Sequence, residues 1–406
     1  MRLLLCGGGT GGHVYPALAV AAALDAPLRD APDRAGVEAT SLHHTPPEVT
    51  YIGGLRGMEQ HIVQNESRLP FRALPTAALR GRGVRQSLQG GATMLVGLVE
   101  ALRLLRQLQP DAILGTGGYV CVPLLLAAWV RRVPTLIYLP DVVPGLAIKF
   151  LAHLATQIAC NVEDSRRYLP PDRRKPRPLL VAGYPVQSAL FTTDRATCRA
   201  AFGLDTSDNA LPVLLVYGGS LGARSINRAM QRVLPDVLAM AQVIHICGQQ
   251  GDAEWLRETA SQLDAERQAR YRLYPYLERV GSPTMIHAFG AADVALCRSG
   301  ASTLAELPAA GLPAILVPYP YVHQEENADY LVRHGAALKV LDSQMCDEND
   351  PAPQGGRLFS AVQRLLTEPL TRQRLAQQSR SLARPDAAHT LADALINLAT
   401  RRDNRW

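Results

Sequence analysis

Long hydrophobic runs are missing from this chain of 406 residues. The longest apolar stretch, residues 120–130, contains Pro123 and is shorter than the roughly 20 residues that span a bilayer. The apolar segment 3–6 is too short for the core of a signal peptide, and glycines follow it directly. We therefore expect a soluble protein of the cytoplasm, one that is still able to bind a membrane surface.

Motifs for metal and disulfide chemistry are missing as well. The seven cysteines are scattered and form no Cys-x-x-Cys pair, and several lie in apolar runs where cysteine acts as a small hydrophobic residue. This distribution predicts a reducing compartment. The chain has no Asp-x-Asp pair, so a carboxylate clamp for a metal on a diphosphate lacks its usual ligands.

Charge is modest and aromatic residues are few. The formal net charge of +6 comes almost wholly from arginine, and aromatic residues make up 5% of the chain. No basic run interleaved with aromatics occurs, which argues against binding of nucleic acid. The modest positive charge suits an anionic ligand or an anionic membrane surface. The hydrophobic fraction of 47% is typical of a packed α/β protein.

Strand and helix patterns alternate along the whole chain, and the length predicts two domains. Strands that are apolar on both faces predict parallel sheets covered by helices, hence two doubly wound domains. We expect a helix at 89–109, a linker at 183–188 and loops at 25–47, 165–178 and 342–357. The predicted strands are 2–6, 49–52, 112–114, 135–138, 157–159 and 179–182, then 212–217, 243–247, 271–273, 294–296 and 314–317.

Two glycine-rich turns each follow a predicted strand and precede a predicted helix. They are residues 7–13 (GGGTGGH) and 218–223 (GGSLGA). Amide groups in such a turn, with the positive end of the helix behind it, form a site for phosphate oxygens. Two turns in two halves therefore predict two phosphate-bearing ligands.

Other interpretations of these turns fit less well. A Walker loop ends in Gly-Lys-Ser/Thr, which neither turn has. A dinucleotide site needs an acidic residue at the end of the next strand, whereas Asp25 opens a polar stretch. Turns that only let a helix pack on a strand would have no need of His13 and Ser220.

The second half carries further candidate side chains. Ser302 and Thr303 can cap a helix after the strand 294–296, and Glu306 in its first turn suits the two hydroxyls of a ribose. A carboxylate favoured only by the helix dipole is the alternative. Gln324 and Asn327, after the next strand, could bind sugar hydroxyls.

In this order and spacing, the motifs resemble the peptidoglycan glycosyltransferases of family 28, which add N-acetylglucosamine to lipid I. The resemblance covers roughly residues 1–340. The matching segments are 8–13 with 16–20, 53–59, 79–83, 115–120, 144–146, 218–224, 298–306 and 324–327.

The resemblance implies a GT-B fold of two Rossmann-like domains facing across a cleft. Domain 1–183 would bind the acceptor and the membrane, with a C-terminal helix near 386–406 packed back on it, and domain 184–385 would bind UDP-N-acetylglucosamine. The implied reaction is an inverting, metal-independent transfer at the cytoplasmic face of the membrane, with a UDP-sugar as substrate and no cofactor.

Site residues are carried over position by position from the resemblance. The catalytic candidates are His13 as general base, Thr10 and Asp141. The donor-binding candidates are Gly219, Ser220, Leu221, Gly222, Ala223, Leu277, Arg298, Ser299, Thr303, Glu306, Gln324 and Asn327. The acceptor-binding candidates are Gly8, Gly9, Gly11, Gly12, Gly117, Gly118, Tyr119 and Gln187.

A surface for anionic lipid is expected in the first half, where apolar positions are flanked by arginines. The alternative is that the aliphatic residues belong to the core and the arginines to a solvated rim. The candidate membrane residues are Leu79, Arg80, Arg82, Val84, Arg85, Trp129, Arg131 and Arg132.

Two departures affect the acceptor side. Residues 138–141 (YLPD) stand where the family has His-Glu-Gln-Asn, so that its Glu is Leu139 and its Asn is Asp141. The family's Asn-Pro-Val-Arg is 184–187 (YPVQ), in which Gln187 replaces the Arg. These changes leave two alternatives open: a related enzyme with a different lipid acceptor, and a non-catalytic homologue that binds nucleotide sugars. An epimerase of the same fold is a weaker alternative, since its cleft needs more carboxylates than can be placed in this sequence.

Overall fold

A computed structural model describes residues 1–25, 46–55, 57–76, 84–169, 179–207, 209–219, 221–278, 281–345 and 356–403. It divides into two compact units, Met1–Pro185 with Asp386–Trp406, and Val186–Pro385. Most of each predicted loop, 25–47, 165–178 and 342–357, lies outside the described residues. Within the described residues, no helix combines the length and apolarity needed to cross a membrane.

The first unit is built on a parallel sheet of seven strands, in the order β3-β2-β1-β4-β5-β6-β7. Its central strands are almost entirely buried because helices cover both faces. All six predicted strands are confirmed, while the edge strand β3 was missed. The strands are β1 (Arg2–Gly7), β2 (Glu48–Gly54), β3 (Phe71–Leu74), β4 (Ala112–Gly117), β5 (Thr135–Leu139), β6 (Gln157–Cys160) and β7 (Leu179–Val181).

In the described residues, five α-helices lie between successive strands of this sheet along the chain. The predicted helix at 89–109 is confirmed and begins earlier, and its residues Leu98, Leu102 and Leu105 pack into the core. Leu95 and Val99, which belong to the same apolar pattern, are exposed instead. The helices are α1 (Gly11–Asp25), α2 (Met58–Glu66), α3 (Val84–Leu108), α4 (Cys121–Val130) and α5 (Leu146–Leu151).

The second unit repeats the plan with six parallel strands, in the order β10-β9-β8-β11-β12-β13. The five predicted strands are confirmed, and the short edge strand β13 was missed. The strands are β8 (Val213–Tyr217), β9 (Gln242–Ile246), β10 (Tyr271–Tyr274), β11 (Val294–Cys297), β12 (Ala314–Leu316) and β13 (Ala337–Lys339).

The core of the second unit lies on the side of the sheet covered by the amphipathic helix α7, which contributes Ile226, Met230 and Leu234. The helices are α6 (Arg195–Ala201), α7 (Arg224–Met240), α8 (Asp252–Ser261), α9 (Ala265–Ala269), α10 (Met285–Ala291), α11 (Thr303–Ala310), α12 (Gln324–Arg333), α13 (Arg357–Thr367) and α14 (Pro369–Ser381).

The last helix, α15 (Ala387–Asp403), belongs to the first unit although it follows the second unit in the chain. It packs against α1, β4 and β5. Leu391 and Leu395 are fully buried in this contact.

In both sheets the strand order reverses beside the first strand of the unit, between β1 and β4 and between β8 and β11. Ligands of doubly wound sheets bind at the carboxyl ends of the strands at this switch point. The two glycine-rich turns follow β1 and β8, and therefore lie at the two switch points.

Candidate active site

The first glycine-rich turn is held against the turn that follows β4. The Gly8 amide donates to the Gly117 carbonyl oxygen at 3.1 Å. Gly118 has a φ of +86°, and a Cβ added there would clash with the Gly8 carbonyl oxygen. Close approach of the two backbones therefore requires glycine at position 118.

His13 lies in the first turn of α1, with its ring beside Gly117. Its Nδ1 atom is 3.0 Å from the Gly8 carbonyl oxygen and 3.3 Å from Thr10 Oγ1. A carbonyl oxygen can only accept, so Nδ1 carries the proton in this hydrogen bond and Nε2 retains a lone pair. The structure thus brings His13 and Thr10 together and gives the imidazole the tautomer of a base.

The amide groups of this turn are not equivalent. Those of Gly8 and Gly9 are bonded inside the protein, to the Gly117 carbonyl oxygen and to Glu59 Oε2. The predicted acceptor contacts of Gly8 and Gly9 remain predictions, and in this structure both amides already have an acceptor inside the protein. The amides of Gly11 and Gly12 at the start of α1 have no acceptor among the described residues, as is usual at a helix start.

Other predicted acceptor-side residues lie near the ends of neighbouring strands. Asp141 follows β5, which pairs with β4, and its side chain is partly exposed. Leu139, at the position of the family's Glu, is fully buried in the core. Tyr119 is exposed after β4, whereas Gln187 is an exposed residue of the second unit.

The second glycine-rich turn leads into α7. The Gly222 amide donates to the Gly219 carbonyl oxygen at 2.9 Å. Gly222 has a φ of +79°, and a Cβ there would clash with the Cys247 carbonyl group after β9. Leu221 is exposed and Ala223 caps the helix without a side-chain hydrogen bond, while Ser220 lies outside the described residues.

Arg298 links several segments at this edge of the second sheet. Its guanidinium group donates to the Val317 and Pro318 carbonyl oxygens at 3.1 and 3.2 Å, and to Ser225 Oγ at 2.7 Å. It also forms an ion pair of 2.5 Å with Asp342. These bonds hold the ends of β11 and β12 to the start of α7. The Arg298 side chain therefore stabilises the arrangement of the segments that form this edge.

Four more predicted donor residues bond to one another or to nearby backbone. Ser299 Oγ donates to the Gln324 carbonyl oxygen at 2.7 Å, and Asn327 Nδ2 donates to the Ser299 carbonyl oxygen at 3.0 Å. Thr303 Oγ1 donates to the Arg298 carbonyl oxygen at 3.2 Å. The side chains of Ser299, Thr303 and Asn327 are buried. Their contacts with the nucleotide, the ribose and the sugar, respectively, remain predictions.

Glu306 lies in the first turn of α11, beside this network, and Leu277 is a buried residue after β10. Burial raises the pKa of the Glu306 carboxyl group, and a hydrogen bond with Ser302 opposes that shift. Its role in ribose binding likewise remains a prediction.

The sequence did not predict a series of linked polar side chains, most of them buried, that lies close to the second glycine-rich turn. His245 Nε2 is 3.0 Å from Asn227 Oδ1, and Asn227 Nδ2 donates to Asp252 Oδ2 and to the Cys247 carbonyl oxygen, both at 2.8 Å. Arg224 Nε completes the chain with a bond of 2.8 Å to Asp252. A single histidine inside a strand gives no sequence signal for such a chain.

Glu59 was also not among the predicted site residues, although the matched segment 53–59 contains it.

The described residues include no group of three or more His, Cys, Asp or Glu side chains that could hold a metal ion. The predicted absence of a metal site rests on the sequence alone.

Two family models match the chain. The glycosyltransferase family 28 N-terminal domain matches residues 39–160, and the C-terminal domain matches residues 213–391. A UDP-N-acetylglucosamine--N-acetylmuramyl-(pentapeptide) pyrophosphoryl-undecaprenol N-acetylglucosamine transferase of Roseiflexus sp. (strain RS-1) is 50% identical over 99% of this chain and 96% of its own length. The chain belongs to glycosyltransferase family 28.

Other family 28 relatives agree. A transferase of the same name from Desulforudis audaxviator is 36% identical over 98% of this chain and 99% of its own length. The crystal structure of Acinetobacter baumannii MurG has a TM-score of 0.72 at 27% identity, with 98% of this chain and 99% of that chain covered. The predicted family and its GT-B fold are therefore confirmed.

A UDP-GlcNAc 2-epimerase from Neisseria meningitidis, solved bound to UDP-GlcNAc, has a TM-score of 0.62 at 15% identity over 98% of this chain and 100% of its own. That likeness shows only that the epimerase shares the fold. It gives no support to the epimerase alternative.

Proposed function

We propose that this family 28 enzyme transfers N-acetylglucosamine from UDP-N-acetylglucosamine to the 4-hydroxyl of the N-acetylmuramyl sugar of lipid I, giving lipid II. The observation that carries the proposal is the Roseiflexus transferase, 50% identical over 99% of the chain. It supports the peptidoglycan reaction over a different lipid acceptor or a non-catalytic role.

His13 is the proposed general base. In an inverting transfer the acceptor hydroxyl attacks C1 of the sugar while UDP leaves from the opposite face. His13 Nε2 takes the proton of that hydroxyl, and the Gly8 carbonyl oxygen keeps Nδ1 protonated. Thr10 and Asp141 remain proposed contributors, the first through its hydroxyl beside Nδ1.

The second unit is the proposed donor site. Negative charge grows on the diphosphate as the bond to C1 breaks, and the amides at residues 219–223 and the start of α7 stabilise it. Glu306 would bind the ribose hydroxyls and the Leu277 backbone the uracil. Gln324 and Asn327 are the proposed sugar-binding residues, with Ser299 and Thr303 shaping the surface that presents them.

The acceptor pyrophosphate is proposed to bind the amides of Gly11 and Gly12, with Tyr119 and the turn at 117–118 beside them. Gln187 is also a proposed acceptor-binding residue. The proposal is supported by the position of residues 11–12 after β1 and of residues 117–119 at the end of β4.

Peripheral docking on anionic lipid at the cytoplasmic membrane face is proposed for helices α3, α4 and α5, which pack side by side. Trp129 is 57% exposed at the end of α4, and Arg131 and Arg132 follow it. Further large apolar side chains are exposed on the same helices, namely Leu95, Val96, Val99, Val130, Leu146 and Phe150.

The other membrane residues are proposed from the sequence alone. Leu79, Arg80 and Arg82 lie outside the described residues, as do the side chains of Val84 and Arg85.

The test is a UDP-release assay with lipid I, a lipid-free acceptor sugar and an unrelated glycolipid. We expect release with lipid I, and a loss of roughly 100-fold or more in kcat for His13→Ala with donor KM little changed. The control His61→Ala removes an exposed histidine of α2 and should keep wild-type rates. Release only with another lipid, or UDP binding without any release, would overturn the proposal.

A further inference from the structure

Glu59 is a buried carboxylate beside the first glycine-rich turn. Its side chain is 2% exposed. Oε1 accepts the Gly54 amide at 2.8 Å at the end of β2, and Oε2 accepts the Gly9 amide at 3.3 Å. A Cβ at Gly8 or Gly57 would clash with this carboxylate, so the surrounding glycines leave room for it.

No cation neutralises this group within the part of the chain that the structure describes, where its hydrogen bonds come from backbone amides alone. Burying a carboxylate is destabilising unless hydrogen bonds compensate for the lost hydration. A carboxylate next to a turn that faces a pyrophosphate also repels that ligand. Glu59 therefore needs a reason other than anion binding.

The hydrogen bonds of Glu59 and His13 meet on one peptide unit. The Gly9 N–H that donates to Glu59 and the Gly8 C=O that accepts from His13 Nδ1 belong to the same planar amide. In a trans peptide these two groups point in opposite directions. A carboxylate on the N–H side therefore directs the C=O towards the imidazole and increases its strength as an acceptor, because linked hydrogen bonds polarise one another.

We propose that Glu59 is a positioning residue that acts on His13 through the Gly8–Gly9 peptide. The inference rests on the proposed function of His13 as base. When Nε2 takes the proton of the acceptor hydroxyl, Nδ1 keeps its own, and the positive imidazolium is stabilised by the polarised Gly8 carbonyl group. The peptide does the work that a carboxylate bonded directly to Nδ1 does in a Ser-His-Asp triad.

Other titratable groups around the turn do not supply this charge. Burial raises the pKa values of Cys6 and Tyr51 well above their ordinary ranges, which keeps both neutral. Cys121 contacts Cys6 and donates to the Gly117 carbonyl oxygen at 3.1 Å, and Tyr184 donates to the Gly12 carbonyl oxygen at 3.2 Å. The other titratable side chains that the structure describes on the elements packed against α1 are exposed: Arg2 on β1, His61 and Glu66 on α2, and His389, Asp393 and Arg401 on α15.

The test compares Glu59→Gln with Glu66→Gln. Glu59→Gln keeps the shape and one acceptor oxygen but removes the charge, and Glu66 lies on the same helix with its carboxylate on the surface. We expect Glu59→Gln to lower kcat roughly tenfold, with donor KM unchanged within about twofold, and to move the acidic limb of the pH–rate profile to lower pH. Glu66→Gln should match the wild type.

A second measurement does not depend on turnover. In protein labelled with 15N-histidine, the His13 signals, assigned with His13→Ala, should show a proton on Nδ1. In Glu59→Gln, half-protonation of His13 should occur at lower pH than in the wild type. An unchanged titration in Glu59→Gln would overturn the relay, whereas failure of the wild type to use lipid I would overturn only the proposed reaction.

Discussion

At the scale of single residues, the most informative side chain of the second unit is His245. It is fully buried on β9, between the Tyr271 hydroxyl at 2.9 Å and Asn227 at 3.0 Å. Burial lowers the pKa of His245 to about 3, and the nearby Asp252 opposes that shift only in part. The imidazole is therefore neutral in the folded protein near pH 7.

The stability of the second unit should depend on pH through this group. An unfolded histidine has a pKa of about 6.5, so the unfolded state binds the proton first as the pH falls. The stability contributed by neutral His245 is complete above pH 6.5 and is lost progressively towards pH 3. The slope approaches about 1.4 kcal/mol per pH unit between those limits.

We expect His245→Gln to be less stable than the wild type at pH 7. The difference in unfolding free energy between the two proteins should become smaller as the pH falls from 6 to 4. Urea unfolding at each pH measures the difference in unfolding free energy. His61→Gln, at an exposed position, is the control and should follow the wild type throughout. A gap that stays constant with pH would contradict the assigned state of His245.

At the scale of elements, helices α3, α4 and α5 expose more apolar side chains than a helix needs if it only covers a sheet. The apolar positions of α3 occur on more than the core-facing side, since Leu95 and Val99 are exposed where Leu98 and Leu105 are packed. An amphipathic helix that only covered a sheet would carry polar residues there. The excess apolar surface supports the proposed docking of these helices on a lipid interface.

The element-scale prediction concerns vesicle binding. Trp129→Ser should weaken co-sedimentation with anionic vesicles roughly tenfold, since burial of a large apolar side chain contributes about 1.5–3 kcal/mol. Replacing Arg131 and Arg132 by Gln should weaken it by about 1 kcal/mol each. Leu370→Ser removes an exposed leucine of the second unit and is the matched control. Equal binding of the wild type to neutral vesicles would remove the electrostatic part of the proposal.

Elements with a local signature were predictable from the sequence. Buried strands next to glycine-rich turns predicted that His13 and both turns lie between a strand and a helix, and the structure confirms this, because the motif and the geometry occupy the same few residues. The edge strands β3 and β13 are short and only partly buried, so the apolar pattern that identifies a strand is missing there. Contacts between distant segments gave no signal, as with the bond from Gly9 to Glu59 fifty positions away.

At the scale of the whole molecule, the first unit depends on a helix that lies at the far end of the chain. Leu391, Leu395 and Leu398 of α15 are buried in that unit. Truncation of a fully buried leucine removes apolar contacts and leaves a cavity. The stability of the N-terminal sheet is thus partly encoded beyond residue 385.

Leu395→Ala should lower the unfolding free energy of the first unit by about 2–5 kcal/mol, because the side chain is fully buried. Asn397→Ala, at an exposed position of α15 close to Leu395 in the sequence, should change the unfolding free energy by less than about 0.5 kcal/mol. Hydrogen exchange of the β4 and β5 amides, measured at increasing urea concentration, reports the change in unfolding free energy in the strands that α15 contacts. Similar stability of the two variants would show that α15 contributes little to the unit.

The placement of α15 also sets an order of events during translation. A ribosome must synthesise the whole of Val186–Pro385 between β7 and α15. At synthesis rates of about 5–20 residues per second that interval lasts about 10–40 s. Throughout it the nascent first unit exposes the apolar surfaces of α1, β4 and β5, so the second unit can finish folding before the first one does.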